Sequence, residues 1–157
     1  MGEKEPARLV AKNRKAWHDY HILQRFEAGI SLLGTEVKSA RAGHVALRDS
    51  YAAFEGGNLY LYNVSISLYS HRGYAEHEER RPRRLLLHRD ELRKLARQVE
   101  EKGKTIIPLQ AYFKGPHLKI EIAVAQGKRV YDKRRQKEEA RMTRELDREM
   151  KKRIRIG

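Results

Sequence analysis

Apolar and polar residues alternate at period two over much of the chain, which marks strands buried on one face. Tyr20, Ile22, Phe26, Ala28, Ile30 and Leu32 fall on one face of a long first strand, with Gly29 as a bulge or bend within it. Glu27 is then on the face opposite Ile22 and Ile30. Thr35 is placed to cap a short helix carrying Glu36, Val37 and Lys38, which Gly43 closes. Val45 to Phe54 and Leu59 to Val64 read as strands joined by a turn over Glu55, Gly56, Gly57 and Asn58. A loop of little periodicity follows, Ser65 to Arg84.

Leu92, Leu95, Ala96 and Val99 recur at helical spacing, so the pattern predicts a helix over Arg89 to Lys102 with Gly103 as its stop. Asp90 and Glu91 sit in its first turn, where the helix dipole favours acids. Thr105 to Lys114 and Leu118 to Ala125 form a hairpin over Gly115 and Pro116, with Leu118, Ile120, Ile122 and Val124 inward. Short antiparallel strands with few helices predict a mainly β protein. A closed oligonucleotide-binding (OB) barrel, which leaves no sticky edge, is the natural architecture.

Charge changes this picture. Lys and Arg number 35 against 21 Asp and Glu, a formal +14. Such an excess implies a polyanionic partner, because counterion release from phosphates drives association. RNA, DNA and an anionic membrane surface all satisfy it. Residues 128–157 hold thirteen Lys/Arg and six acids, so this stretch alone carries +7. The chain divides into a flexible arm (1–12), a body (13–127) and a basic tail (128–157).

The tail favours helix after Arg134, and Met142, Leu146, Met150 and Ile154 recur at every fourth residue. It is expected to be disordered when free and helical when bound. With no Cys, no signal-peptide core and no apolar run long enough for a bilayer, the expected location is the cytoplasm. The histidines show no metal-ligand spacing, and no nucleophile elbow, phosphate-cradling Gly-rich loop or carboxylate pair stands out. No metal, cofactor or catalytic residue is assigned.

Nine strings together resemble the SmpB family, the small protein partners of transfer-messenger RNA in bacterial ribosome rescue. They are Asn13-Arg-Lys-Ala16, His18-Asp-Tyr20, Phe26-Glu-Ala-Gly29, Gly34-Thr-Glu-Val-Lys-Ser39, Arg41-Ala-Gly43, Asp49-Ser50, the run from Arg80 to His88, Gln126-Gly-Lys-Arg129 and Asp132-Lys-Arg134. The similarity is collinear from about Asn13 to Arg135. It implies an OB core that grips the transfer-RNA-like domain of transfer-messenger RNA. It further implies a tail lying in the vacant message channel of the small ribosomal subunit, beyond the empty A site. A non-enzymatic monomer is expected; a general single-strand binder or a structural ribosomal protein are the alternatives.

By the same resemblance, Asn13, Glu27 and Leu86 are associated with RNA binding, and His18 lies near the RNA. Gly127, Tyr131, Asp132, Lys133 and Arg134 belong to the segment needed for tagging after binding, with Met142, Leu146, Met150 and Ile154 beyond it. Arg14, Lys15, Lys38, Arg41, Arg80, Arg81, Arg83, Arg84, Lys128 and Arg129 join the expected RNA contacts as phosphate-pairing cations. Leu86 is expected to face the core and act through packing. Trp17 stands where the family usually has Arg, and an indole stacks on a base where Arg would pair with phosphate. Tyr60 and Tyr62 read as strand residues rather than a stacking platform.

Overall fold

The structure is a computed structural model and describes residues 8–67, 78–128 and 138–150. The chain divides into two compact units, Met1–Gly127 and Lys128–Gly157. Among the described residues the first unit carries β1 (Arg8–Lys12), α1 (Arg14–Asp19), β2 (Tyr20–Ile30), α2 (Gly34–Arg41), β3 (Val45–Ala46) and β4 (Tyr51–Glu55). It continues with β5 (Asn58–Tyr62), β6 (Ser65–Ile66), β7 (Arg83–Leu86), α3 (Arg89–Val99), β8 (Lys104–Lys114) and β9 (His117–Gly127). In the second unit residues 138–150 form a helix, α4.

The protein is mainly β, as the alternation predicts. Antiparallel pairings run as a ring: β8 to β4, β5, β7, β2, β9 and back to β8. β3 and β6 form a separate two-stranded ribbon. Phe26, Ala28, Leu59, Leu61, Leu85, Ile106, Ile120, Ile122 and Val124 fill the main core, and Leu95 of α3 is fully buried against them.

The single apolar face assigned to β2 is in fact two. Tyr20 and Ile22 pack with Ala16, Ile107, Leu109, Ala123 and Ala125 in a second cluster, while Phe26 and Ala28 belong to the main core. A bulge between Ile22 and Gln24 causes the switch, because one extra residue turns every later side chain to the other face. β8 has a matching bulge between Pro108 and Gln110, so Ile107 and Leu109 face the second cluster and Ala111 and Phe113 the main core. Pro108 lacks an N–H for the ladder, which favours an irregularity there. Gly29 is therefore not the bulge. It pairs in register with Leu86 on one side and Lys119 on the other.

Other expectations shift for local reasons. Residues 8–12, assigned to the flexible arm, form a strand on β8, with Val10 and Ala11 packed against the core. Val45 to Phe54 is broken by a turn in which Ser50 N–H bonds Leu47 O at 3.2 Å and Asp49 takes φ 60°. Gly56 and Gly57, both at positive φ, make the β4–β5 turn that the sequence predicts. Leu33, not Thr35, precedes the first turn of α2, and the Glu36 carboxylate accepts its N–H at 2.9 Å.

Candidate nucleic-acid interface

Beyond the second cluster, the outer face of β7, β2, β9 and β8 is polar and open. Register places Glu27 beside Glu121, Gly29 beside Lys119, and Lys119 beside Tyr112. The Tyr112 hydroxyl donates to Glu27, and Lys114 Nζ lies 2.9 Å from the same carboxylate. The Tyr112 and Lys114 bonds hold Glu27 below the ordinary carboxylate range. Burial, then the Glu27 bond, pushes the Tyr112 phenol up. Glu27 thus stays ionised and fixes a lysine beside it. The bulge also moves it: Glu27 shares its face with Ile22, not the opposite one.

Leu86 departs from expectation. It is 48% exposed, whereas Leu85 fills the core at 2%. A Cβ on Gly29 would stand 3.4 Å from Leu86 Cβ, so glycine leaves room for this side chain to lie over the strand. A shallow cleft of about 490 Å³ opens there between Glu27, Gly29, Leu86, His88, Glu91 and Lys119. Acceptors, an amine and an apolar ledge converge in it, a set suited to ribose and base edges beside a phosphate.

The arginine cluster separates into two roles. Arg80 and Arg84 are exposed. Arg83 is fully buried; it pairs with Glu36 and donates to the carbonyls of Val64 (2.9 Å), Glu79 (3.0 Å), Arg81 (3.2 Å) and Glu78 (3.3 Å). Arg81 also pairs with Glu36. Burial disfavours the Glu36 charge, but the Arg81, Leu33 N–H and Arg83 bonds outweigh it and leave the carboxyl below its ordinary range. Arg83 is thus not a phosphate contact: its donors are spent on Glu36 and on the chain between Glu78 and Arg81.

Around α1, Asn13 is 7% exposed, its carboxamide donating to Pro108 O at 2.9 Å and its backbone N–H bonding Leu109 O at 2.8 Å. It pins α1 to the β8 bulge. Arg14, Lys15 and His18 are exposed; Lys15 Nζ is 3.3 Å from Asp49 and His18 Nδ1 is 3.0 Å from Asp19. The Arg25 guanidinium sits 4.9 Å from the centroid of Trp17, which is 44% exposed. On α2, Lys38 and Arg41 are both exposed, and the Arg41 guanidinium lies 5.8 Å from the Phe113 centroid.

Gly127, exposed, ends β9, and Lys128 is half-buried. Arg129, Tyr131, Asp132, Lys133, Arg134 and Ile154 lie outside the described residues. On α4, Met142, Leu146 and Met150 are 59%, 61% and 64% exposed.

Residue-by-residue reading missed Glu36, Tyr112, Lys114 and Lys119. Lys119 was within reach, since it alternates with the inward Leu118 and Ile120. Glu36 gave no signal, because nothing local says that two arginines far along the chain return to it.

The family model described as SmpB protein matches residues 10–152. The "SsrA-binding protein" of Carboxydothermus hydrogenoformans is 49% identical over 92% of this chain and 97% of that protein. The protein of the same description from Deinococcus radiodurans is 50% identical over 88% of this chain and 97% of its own. A solved structure, "tmRNA-SmpB: a journey to the center of the bacterial ribosome", contains a chain 48% identical with TM-score 0.66, covering 80% of this chain and 87% of that one.

Proposed function

This chain belongs to the SmpB family, and on that premise we infer that it binds transfer-messenger RNA and acts with it on stalled ribosomes in trans-translation. The observation that carries the reading is the family match over nearly the whole chain, on a protein of net charge +14. It acts by binding; peptide transfer is the ribosome's chemistry. Its place is the bacterial cytoplasm, where ribosomes work, and among the described residues no helix is long and apolar enough to cross a membrane.

Individual parts take separate roles in this reading. The ring of pairings supports reading the first unit as a closed OB-type barrel, and in this reading its outer face at Glu27, Leu86 and Lys119 meets the transfer-RNA-like domain. Arg84 and Arg80 extend that face to phosphates, and Asn13 acts by holding α1 and its cations. The second unit serves the ribosome, its apolar stripe of Met142, Leu146 and Met150 seating in the vacant message channel. An isolated helix of about 12–15 residues is marginal in water, so in this reading the ordering of the second unit completes on the ribosome.

The test is competition binding at two salt concentrations. Labelled transfer-RNA-like domain should be displaced by unlabelled copies and not by an elongator transfer RNA of equal length. Affinity should fall steeply as salt rises. Equal displacement by both RNAs would reduce the function to generic RNA binding.

A further inference from the structure

A second cleft, of about 390 Å³, lies between α1, the turn before β4, and β8. Its size falls within the range of small-molecule sites. Ala16 and Ile107, 3% and 2% exposed, give it an apolar floor. Tyr51 forms a wall and is 43% exposed. Its ring stacks on that of its cross-strand partner Tyr62, with centroids 5.4 Å apart and planes 19° from parallel. The Tyr62 hydroxyl is in turn tied to Glu55 at 2.8 Å. A ring braced in this way offers a ready plane for a base, with little rotamer freedom left to lose.

The rim carries Lys15, Asp19 and Asp49. Carboxylates are unexpected on a surface built for phosphates, which they repel. They suit the donor edge of a base. Of the four RNA bases only guanine presents two adjacent N–H groups, N1–H and N2–H, on its pairing edge, and one carboxylate accepts both. Asp49 is 69% exposed on its side chain and sits 3.3 Å from Lys15 Nζ, so acceptor and cation are side by side.

We propose that this cleft receives one unpaired guanine of bound RNA, stacked on Tyr51, with Asp49 accepting its N1–H and N2–H and Lys15 meeting the adjoining phosphate. The proposal rests on the RNA-binding reading above. The guanine comes from transfer-messenger RNA or from ribosomal RNA, which share this chemistry. Extruding a base already unpaired costs least, which favours a loop or bulge nucleotide.

The experiment is kethoxal probing, which reads guanine N1 and N2 together. It uses the full chain bound to the transfer-RNA-like domain in one arm and the assembled ribosomal complex in the other. One guanine should be protected by the wild-type chain and by Tyr51→Phe, and should react again with Tyr51→Ala. Affinity should then drop roughly tenfold, the scale of one lost stacking partner. The arm in which protection appears names the RNA.

Inosine at that position lacks the N2 amino group and should weaken binding to wild type but not to Asp49→Asn. Asn tolerates the φ 60° of Asp49, so this variant keeps the turn and decides the matter even where Tyr51→Ala fails to fold. A folded Tyr51→Ala that retains affinity and every protection in both arms would overturn the proposal. Failure of the wild-type chain to bind either RNA would instead remove the reading beneath it.

Discussion

Arg83→Met tests the buried network most directly. The substitution roughly conserves volume but leaves the Glu36 carboxylate, fully buried, with Arg81 as its one remaining cationic partner among the described residues. Removing one member of a buried pair costs about 3–5 kcal/mol, because the other charge stays desolvated. The carbonyls of Glu78, Glu79 and Arg81 are only part-buried, and that of Glu79 keeps the Ile66 N–H at 3.0 Å, whereas that of Val64, 1% exposed, loses its guanidinium donor in a buried position. That orphan adds about 1 kcal/mol, for a total of roughly 4–6 out of the 5–15 kcal/mol typical of a domain. The double variant Glu36→Leu with Arg83→Met removes the two fully buried charges and leaves Arg81, 28% exposed on its side chain, to turn to water; it should cost about 1–3 kcal/mol, from the Val64 carbonyl and the missing Leu33 N–H bond. Urea unfolding, followed by circular dichroism and by the chain's one tryptophan, gives each midpoint and slope. The single variant should therefore be less stable than the double. A cost below about 1 kcal/mol for Arg83→Met, or a double variant equal to the sum of its singles, would refute the coupling.

The same double variant should leave the salt dependence of RNA binding unchanged, while Arg84→Ala lowers its slope by about 0.7–0.9, the share of a single neutralised phosphate; binding isotherms across a salt series separate them. Leu85→Ala should cost about 2–5 kcal/mol by opening the core, whereas Leu86→Ala should cost under about 0.5 kcal/mol in melting and still weaken RNA binding. Glu27 and Glu36 both have carboxyls held below the ordinary 4.5, so their contribution is complete above that value and lost as pH falls through their lower folded-state pKa values. Urea midpoints should hold from neutral pH to about 5 and drop below 4.5, and Glu36→Gln should flatten that drop. Deleting residues 138–157 should spare affinity for the transfer-RNA-like domain and abolish tagging on ribosomes; an equal loss of both would join the two units in one role.

Local chemistry made several elements readable. The β8–β9 hairpin follows from Gly115-Pro116 between alternating runs, the β4–β5 turn from Gly56-Gly57, and α3 from Leu92, Leu95 and Val99 above an acidic first turn. Helix α1 and strand β1 were not legible. Six residues give too short a period to register, and Arg8–Lys12 becomes a strand only because β8 offers it a paired edge. At the interface, the basic surface and the outward turn of Lys119 follow from composition and alternation, and the family strings single out Glu27 and Leu86. The partners Tyr112 and Lys114, from a strand some eighty-five residues away, come only with the register.

Sequence by itself determined the class of fold, the uneven charge and the family. Each rests on local periodicity, on counts of ionisable groups or on ordered strings. Tertiary structure decided which face each residue serves. Two bulges, at Ile22/Gln24 and Pro108/Gln110, turn the later halves of β2 and β8 over. Period-two reading cannot survive one inserted residue, because a slip by one exchanges inside and outside. It also decided which arginines face solvent. Arg83 and Arg84 are neighbours in a strand, so the pleat sends one to Glu36 in the interior and leaves the other exposed to solvent.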